Sequence, residues 1–198
     1  MSSNDFSQVP GAAASAVNPI AHPLDELYAR MGLTLPVIHR LPSEGLPQPY
    51  QSLLVHVRDM TPTLEGFHLG RLRLRVLRRE QREGSYLRGV VLLLEGSDRA
   101  VAFGAIKINL SLFSTSAQNE ILKEQVPLGR ILADLEIPHD SRPRTYFAVE
   151  ADDFIAQALS CPRQTVLYGR RNALLDANER SLADIVEILP PLEPRPRR

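Results

Sequence analysis

With 198 residues, 43% of them hydrophobic and 23% charged, the chain has the size and composition of one folded domain, and disorder along its whole length is excluded. Lysine plus arginine equals aspartate plus glutamate, 23 against 23, so no overall field draws the molecule to nucleic acid or to an anionic membrane. The longest apolar runs, such as Gly89 to Leu94, fall far short of the roughly 18 to 20 residues that a membrane span needs.

Residues 1–22 are rich in Ser, Ala, Asn and Pro without apolar periodicity, cannot repay the entropy of ordering, and read as a disordered N-terminal tail. That stretch has no basic start and no long apolar run, so no secretory signal is predicted and the cytoplasm is the expected compartment. Cys161 is the sole cysteine, which rules out an intrachain disulfide and suits a reducing compartment; with no obvious base beside it, it reads as a half-buried thiol. From Pro23 to Met31, Leu24, Leu27, Tyr28 and Met31 fall at i, i+3, i+4 and i+7, one apolar helical face with proline at the first turn. Residues 32–49, with repeated prolines, read as an extended surface connection.

Arg71 to Arg75 alternates charge with leucine, the period of a half-buried strand. Tyr86 to Glu95 and Ala100 to Leu110 are apolar, branched runs that form a hairpin across Gly96-Ser97-Asp98-Arg99. Ser114 to Gln125 starts with capping residues and reads as a helix, and Pro127 to Leu135 as a second, shorter one. Thr145 to Val149 is a strand and Asp152 to Leu159 an acid-capped helix. Thr165 to Leu175 and Ser181 to Leu189 form a last hairpin through Asp176 to Arg180, and the Pro- and Arg-rich tail of residues 192–198 cannot pair in a sheet. Strands joined by hairpins and interrupted by helices predict an α+β fold over residues 23–191, a single antiparallel β-sheet with helices packed on it.

Arg88 interrupts an apolar strand, where a guanidinium without an anion is very costly and its planar fork suits a carboxylate. The bland readings are an ion pair with an internal Glu, or a surface position. Glu187 is flanked by Ile185, Val186, Ile188 and Leu189; an apolar setting raises a carboxyl pKa and suits proton exchange near neutral pH. Its bland readings are a pair with Arg88 across the sheet, or solvent. Pro127-Leu128-Gly129-Arg130 reads as a loop entering a helix, where free backbone N–H groups favour an anion, and Asp59 to Glu65 as a helix start with Met60 as core filler. His22, His39, His56, His68 and His139 show no metal-ligand spacing, so no metal is assigned. The basic stripe Arg71, Arg73, Arg75, Arg78, Arg79 and Arg82 reads as a solvated strand face and not as a nucleic-acid site.

Taken together, Asp59-Met60-Thr61-Pro62-Thr63-Leu64-Glu65, Tyr86-Leu87-Arg88-Gly89, Pro127-Leu128-Gly129-Arg130 and Val186-Glu187-Ile188-Leu189-Pro190-Pro191 resemble, in order and spacing, the chorismate lyases, and the resemblance runs from about Leu54 to Pro191. It implies a chorismate lyase-like fold and a cofactor-independent, monomeric lyase that cleaves chorismate to 4-hydroxybenzoate and pyruvate. The ring gains aromaticity in that reaction, so the enzyme needs mainly to desolvate it, fix its carboxylates and stabilise charge, with no metal or cofactor. By this resemblance Arg88 holds the product carboxylate, Met60 and Leu128 add contacts, and Glu187 meets the ring hydroxyl, with Arg88 and Glu187 as the catalytic pair. Gly169-Arg170-Arg171 resembles a run that opens the family's last hairpin, with a structural role.

The chain departs from the pattern in a longer final hairpin, in Asp152 to Leu159, which reads as an insertion, and at one position of the site. Where the better-known members have Gly-Arg, this chain has Gly104-Ala105-Ile106-Lys107, and Lys107 either replaces the missing cation or is solvated at the strand end. The alternative function is a non-catalytic sensor domain that binds a small aromatic carboxylate, since effector-binding domains of some transcription regulators resemble the same fold. Such regulators carry a helix-turn-helix domain for which the Pro-rich N-terminus leaves no room, which favours an enzyme or a free-standing sensor.

Overall fold

A computed structural model describes residues 19–192, and over them the chain builds one antiparallel sheet. Its strands are β1 (Ile38–Leu41), β2 (Leu72–Arg82), β3 (Ser85–Leu94), β4 (Ala100–Asn109), β5 (Asp140–Glu150), β6 (Val166–Leu175) and β7 (Ser181–Leu189), in the order β1-β5-β6-β7-β4-β3-β2. The helices are α1 (Leu24–Met31), α2 (Tyr50–Leu54), α3 (Met60–His68), α4 (Thr115–Lys123), α5 (Leu128–Asp134) and α6 (Asp153–Leu159). The α+β architecture expected from the hairpin pattern is the one observed.

Local chemistry explains most of the boundaries. Gly84 and Gly96 sit at φ +67° and +76° in the turns on either side of β3, a left-handed conformation that side chains resist. The Ser114 side chain accepts from the Ala117 N–H at 3.3 Å and starts α4, and Asp152 does the same for Ile155 at 2.9 Å at the head of α6.

Strand alternation gives the sheet two buried faces. On one, Leu87, Val91, Phe103, Ala105, Phe147, Val186 and Ile188 form a single core beneath α1 and α6. Contact there is close: a Cβ on Gly89 would lie 2.8 Å from Leu27 Cδ2 of α1. The other face is covered by α2 to α5 in two separate apolar clusters. One gathers Tyr86, Ile106, Ile121, Leu128 and Leu132, and the other Leu54, Met60, Leu64, Leu72 and Leu189. The candidate site lies where these two clusters part.

Several elements differ from the sequence expectation. Residues 32–49 are not wholly an extended connection, because Ile38–Leu41 pair with Val149 to Tyr146 of β5. Strand β2 continues past Arg75 to Arg82 through a bulge between Val76 and Arg78, and β5 begins at Asp140, with Pro143 set at a bulge beyond the reach of β1. Residues 19–22 belong to the packed structure: Ala21 is fully buried, and Arg171 Nη1 donates to the Pro19 carbonyl at 3.0 Å. The rest of the expected N-terminal tail and residues 193–198 of the C-terminal one lie outside the described residues. On β2 at the sheet edge, Arg73 pairs with Asp98, Arg79 with Glu124 and Arg82 with Glu80. No described helix is long and apolar enough to cross a membrane.

Candidate functional site

The four segments singled out in the sequence meet around one cavity between the sheet and helices α3 and α5. Asp59, Met60 and Thr61 come from the start of α3, Arg88 from β3, Pro127, Leu128 and Gly129 from the start of α5, and Glu187 from β7. Leu74, Leu92, Ile106, Leu174 and Ile185 make the lining mainly apolar, and Asn172 of β6 adds an amide. The cavity measures about 70 Å³ on a scale where one water needs about 10 to 15 Å³, so it has the room of a single ring.

Register fixes the layout of its floor. Arg88 shares a row across the sheet with Ile106, Ile185 and Asn172; the next row runs Val90, Gly104, Glu187, Arg170. From strand spacing and rise, the Cα atoms of Arg88 and Glu187 are roughly 12 Å apart, at opposite sides of the cavity. Gly104 keeps the floor deep: a Cβ there would stand 3.3 Å from Val90 Cγ2. Gly129 lets α5 lie against α3, where its Cβ would come within 3.3 Å of Thr61 Oγ1.

Arg88 is 1% exposed. Its Nη1 donates to the Ile121 carbonyl in α4 at a long 3.4 Å, its Nε has no partner, and the guanidinium carbon lies 5.7 Å from the centre of the Tyr86 ring. Among the described residues it forms no ion pair, so neither bland reading of its sequence position holds. Burial pushes its pKa down, partly opposed by Tyr86 and Glu124. Glu124 is already engaged, because the Tyr86 hydroxyl donates to it and Arg79 Nη1 donates at 2.6 Å. Burial and then Glu124 push Tyr86 up to about 12, so it remains a protonated donor at neutral pH. Arg88 therefore lines an apolar cavity with hydrogen-bond donors to spare.

Glu187 differs from expectation. Its Oε2 accepts from Nε of the fully buried Arg170 at 2.6 Å, so the carboxylate is neither isolated in an apolar strand nor paired with Arg88. Arg170 also donates to the carbonyls of Leu54 at 3.2 Å, His56 at 3.0 Å and Arg58 at 3.3 Å. It thereby pins the connection between α2 and α3 that delivers Asp59 and Met60. Burial and then this cation hold His56 below its ordinary pKa.

Lys107 is not brought to the site. By alternation it shares a face with Ala105, beneath α1, and its Nζ donates to Glu26 at 2.7 Å. It cannot stand in for a second cation in the cavity, because Ala102, Gly104 and Ile106 are on the face of β4 that lines it, and Lys107 is on the other. Met60 and Leu128 do line the cavity, at 4% and 5% exposure. Two polar ties hold α3 and its neighbours over them: Arg130 with Glu65, and His139 Nε2 with Asp59 at 3.0 Å. The Asp59 contact, more than any other cause, raises the pKa of His139. No group of three or more His, Cys, Asp and Glu able to hold a metal occurs among the described residues.

Sequence reasoning missed Asn172. It is 1% exposed; its Nδ2 donates to Ser141 Oγ at 2.9 Å, while its Oδ1 has no partner. The available signal was its alternation with Arg170, both opposite in facing to Gly169 and Arg171, but on a sheet buried on both sides that pattern names no cavity.

No protein-family model matches the chain, and no curated protein matches it in sequence. Solved structures do. PhnF from Mycobacterium smegmatis superposes with a TM-score of 0.54 at 9% identity, over 69% of this chain and 65% of that one, so the chain spans less than two thirds of PhnF. The effector domain of PhnF alone gives 0.52 at 9% identity, over 69% of this chain and 91% of that one. A gene product from Staphylococcus aureus gives 0.52 at 6% identity, over 69% and 90%.

These findings correct the expectation of a chorismate pyruvate-lyase. Structures that share the fold include the effector domain of PhnF, and a shared fold does not carry catalysis with it. The residues agree, since the carboxylate cast as proton carrier is neutralised by Arg170 and the second cation faces away from the cavity. What the comparisons establish is the fold: a single seven-stranded antiparallel sheet of the chorismate lyase-like type.

Proposed function

We propose that this domain is a non-catalytic binding module that takes a small aromatic carboxylate, with the anion held by Arg88. The observation that carries this reading is a guanidinium 1% exposed, without an ion pair among the described residues, on the wall of an apolar cavity of single-ring size. A buried cation only partly compensated is a standing cost to the free protein, and an entering carboxylate supplies a direct partner with charge-assisted hydrogen bonds. Met60, Leu128, Leu74 and Ile106 offer the ring apolar walls, and Glu187 lies at the far side of the same cavity. The occurrence of this fold in the effector domain of PhnF supports binding without turnover, by analogy of fold only.

Calorimetry with 4-hydroxybenzoate tests the reading. The wild-type protein is expected to bind, and Arg88→Ala to bind at least about 30-fold more weakly, as when one partner of a desolvated charge pair is lost at about 2 kcal/mol or more. Absence of binding to the wild-type protein, or equal affinity in a folded Arg88→Ala variant, overturns it.

A further inference from the structure

The cavity has a second incomplete polar group besides Arg88, and it lies at the opposite end. Asn172 is three strands away from Arg88 in the same row, behind Ile106 and Ile185, a separation of roughly 14 Å between Cα positions at ordinary strand spacing. One end of its amide is engaged and the other is not: Nδ2 donates to Ser141 Oγ at 2.9 Å, while Oδ1 is without a partner in a residue that lines the cavity. Ser141 is itself 8% exposed, so the pair sits inside the fold and not at a wet rim. Buried polar atoms in native proteins are almost always hydrogen-bonded, and Oδ1 of Asn172 is not.

The polar neighbours do not relieve it. Glu187, in the adjacent row, offers only another acceptor and is held by Arg170 at 2.6 Å. Thr61, 7% exposed, lies across the cavity on α3. The group that completes Asn172 has to be a donor, and it has to arrive with whatever fills the cavity.

We propose that Asn172 is a specificity-determining residue that accepts a hydrogen bond from a hydroxyl or amino group placed on the ligand's ring opposite its carboxylate. This rests on the reading of the cavity as an aromatic-carboxylate site and narrows it to para-substituted rings with a donor. A ligand lacking the donor leaves Oδ1 unpaired in a site now closed to water, and such sites discriminate strongly against the analogue that cannot pair.

Calorimetry with 4-hydroxybenzoate and 4-fluorobenzoate, which are close in size and share the carboxylate, isolates the donor. Wild-type protein is expected to prefer 4-hydroxybenzoate by about tenfold or more, and Asn172→Leu to reduce that preference to within about twofold while keeping 4-fluorobenzoate within a few-fold of its wild-type affinity. Asn172→Ala carries the same comparison if the leucine variant fails to fold. A preference that persists in the folded variant shows that the donor is read elsewhere, and equal wild-type affinities show that it is not read at all; either result overturns the role of Asn172 while leaving the carboxylate site standing. Absence of binding by both ligands overturns the site and this inference together.

Discussion

Two arginines are buried on the same sheet face, Arg88 at 1% exposure and Arg170 at 0%, and their surroundings could hardly differ more. Arg170 meets one carboxylate and the carbonyls of Leu54, His56 and Arg58, all between 2.6 and 3.3 Å. Arg88 has one carbonyl at 3.4 Å and an idle Nε. The contrast shows that burial of a charge does not by itself mark a binding site. Arg170 is finished within the fold and holds a chain segment in place, while Arg88 is left incomplete beside a cavity.

Four measurements break or sharpen that contrast. The largest effect is expected from Arg170→Met, which strips Glu187 and three backbone carbonyls of their partner. Urea unfolding should show a loss of about 3 to 5 kcal/mol. A loss below about 1 kcal/mol would mean that water or a rearrangement completes those groups as well as Arg170 does.

Arg88→Met should act with the opposite sign on stability. Removing a charge that the free protein compensates only in part is expected to raise the unfolding free energy by about 1 to 3 kcal/mol while abolishing binding of 4-hydroxybenzoate. A destabilised Arg88→Met protein would show that Tyr86 and Glu124 satisfy the cation more fully than their geometry indicates.

Glu187→Gln keeps the shape and removes the charge opposite Arg170. The expected loss is about 1 to 2 kcal/mol, the difference between a charge-assisted and a neutral hydrogen bond, and it should vanish in the Arg170→Met background if the two residues act as one unit. Additive losses in the double variant would separate them.

The smallest effect is a pH dependence through His139. Its folded pKa is raised, chiefly by Asp59, so its contribution is fully present below the pKa of the unfolded chain and is lost as pH rises through the folded value. The pair is partly exposed, at 15% and 20%, and the contribution should stay under about 1 kcal/mol. His139→Gln should flatten this part of the stability profile above the ordinary histidine value of about 6.5; an unchanged profile assigns the slope to another group.

The main architecture was readable because its signals are local. The branched runs of β3 and β4, the capping residues Ser114 and Asp152, and the turn at Gly96 each need only near neighbours to act. Strand β1 was not readable, since its four residues pair only with β5, more than a hundred positions away, and α2 is too short for a helical period. The bulges that carry β2 past Val76 and let β5 accommodate Pro143 depend likewise on partner strands. At the site, Arg88 was legible as a cation in an apolar run. The fate of Glu187 was not, because its partner Arg170 lies on another strand and nothing in Gly169-Arg170-Arg171 says which arginine turns inward. Lys107 misled for the same reason: alternation places it with Ala105, but only the position of α1 reveals that this face is turned away from the cavity.

Gly104 leaves the floor of the cavity without a side chain between Val90 and Glu187. The depth of the cavity is thus recorded as an omitted methyl group, one strand over from Arg88 and two residues along. Cavity size and cavity charge can therefore drift independently under selection: one substitution at position 104 redraws the size while the Arg88 guanidinium stays in the wall.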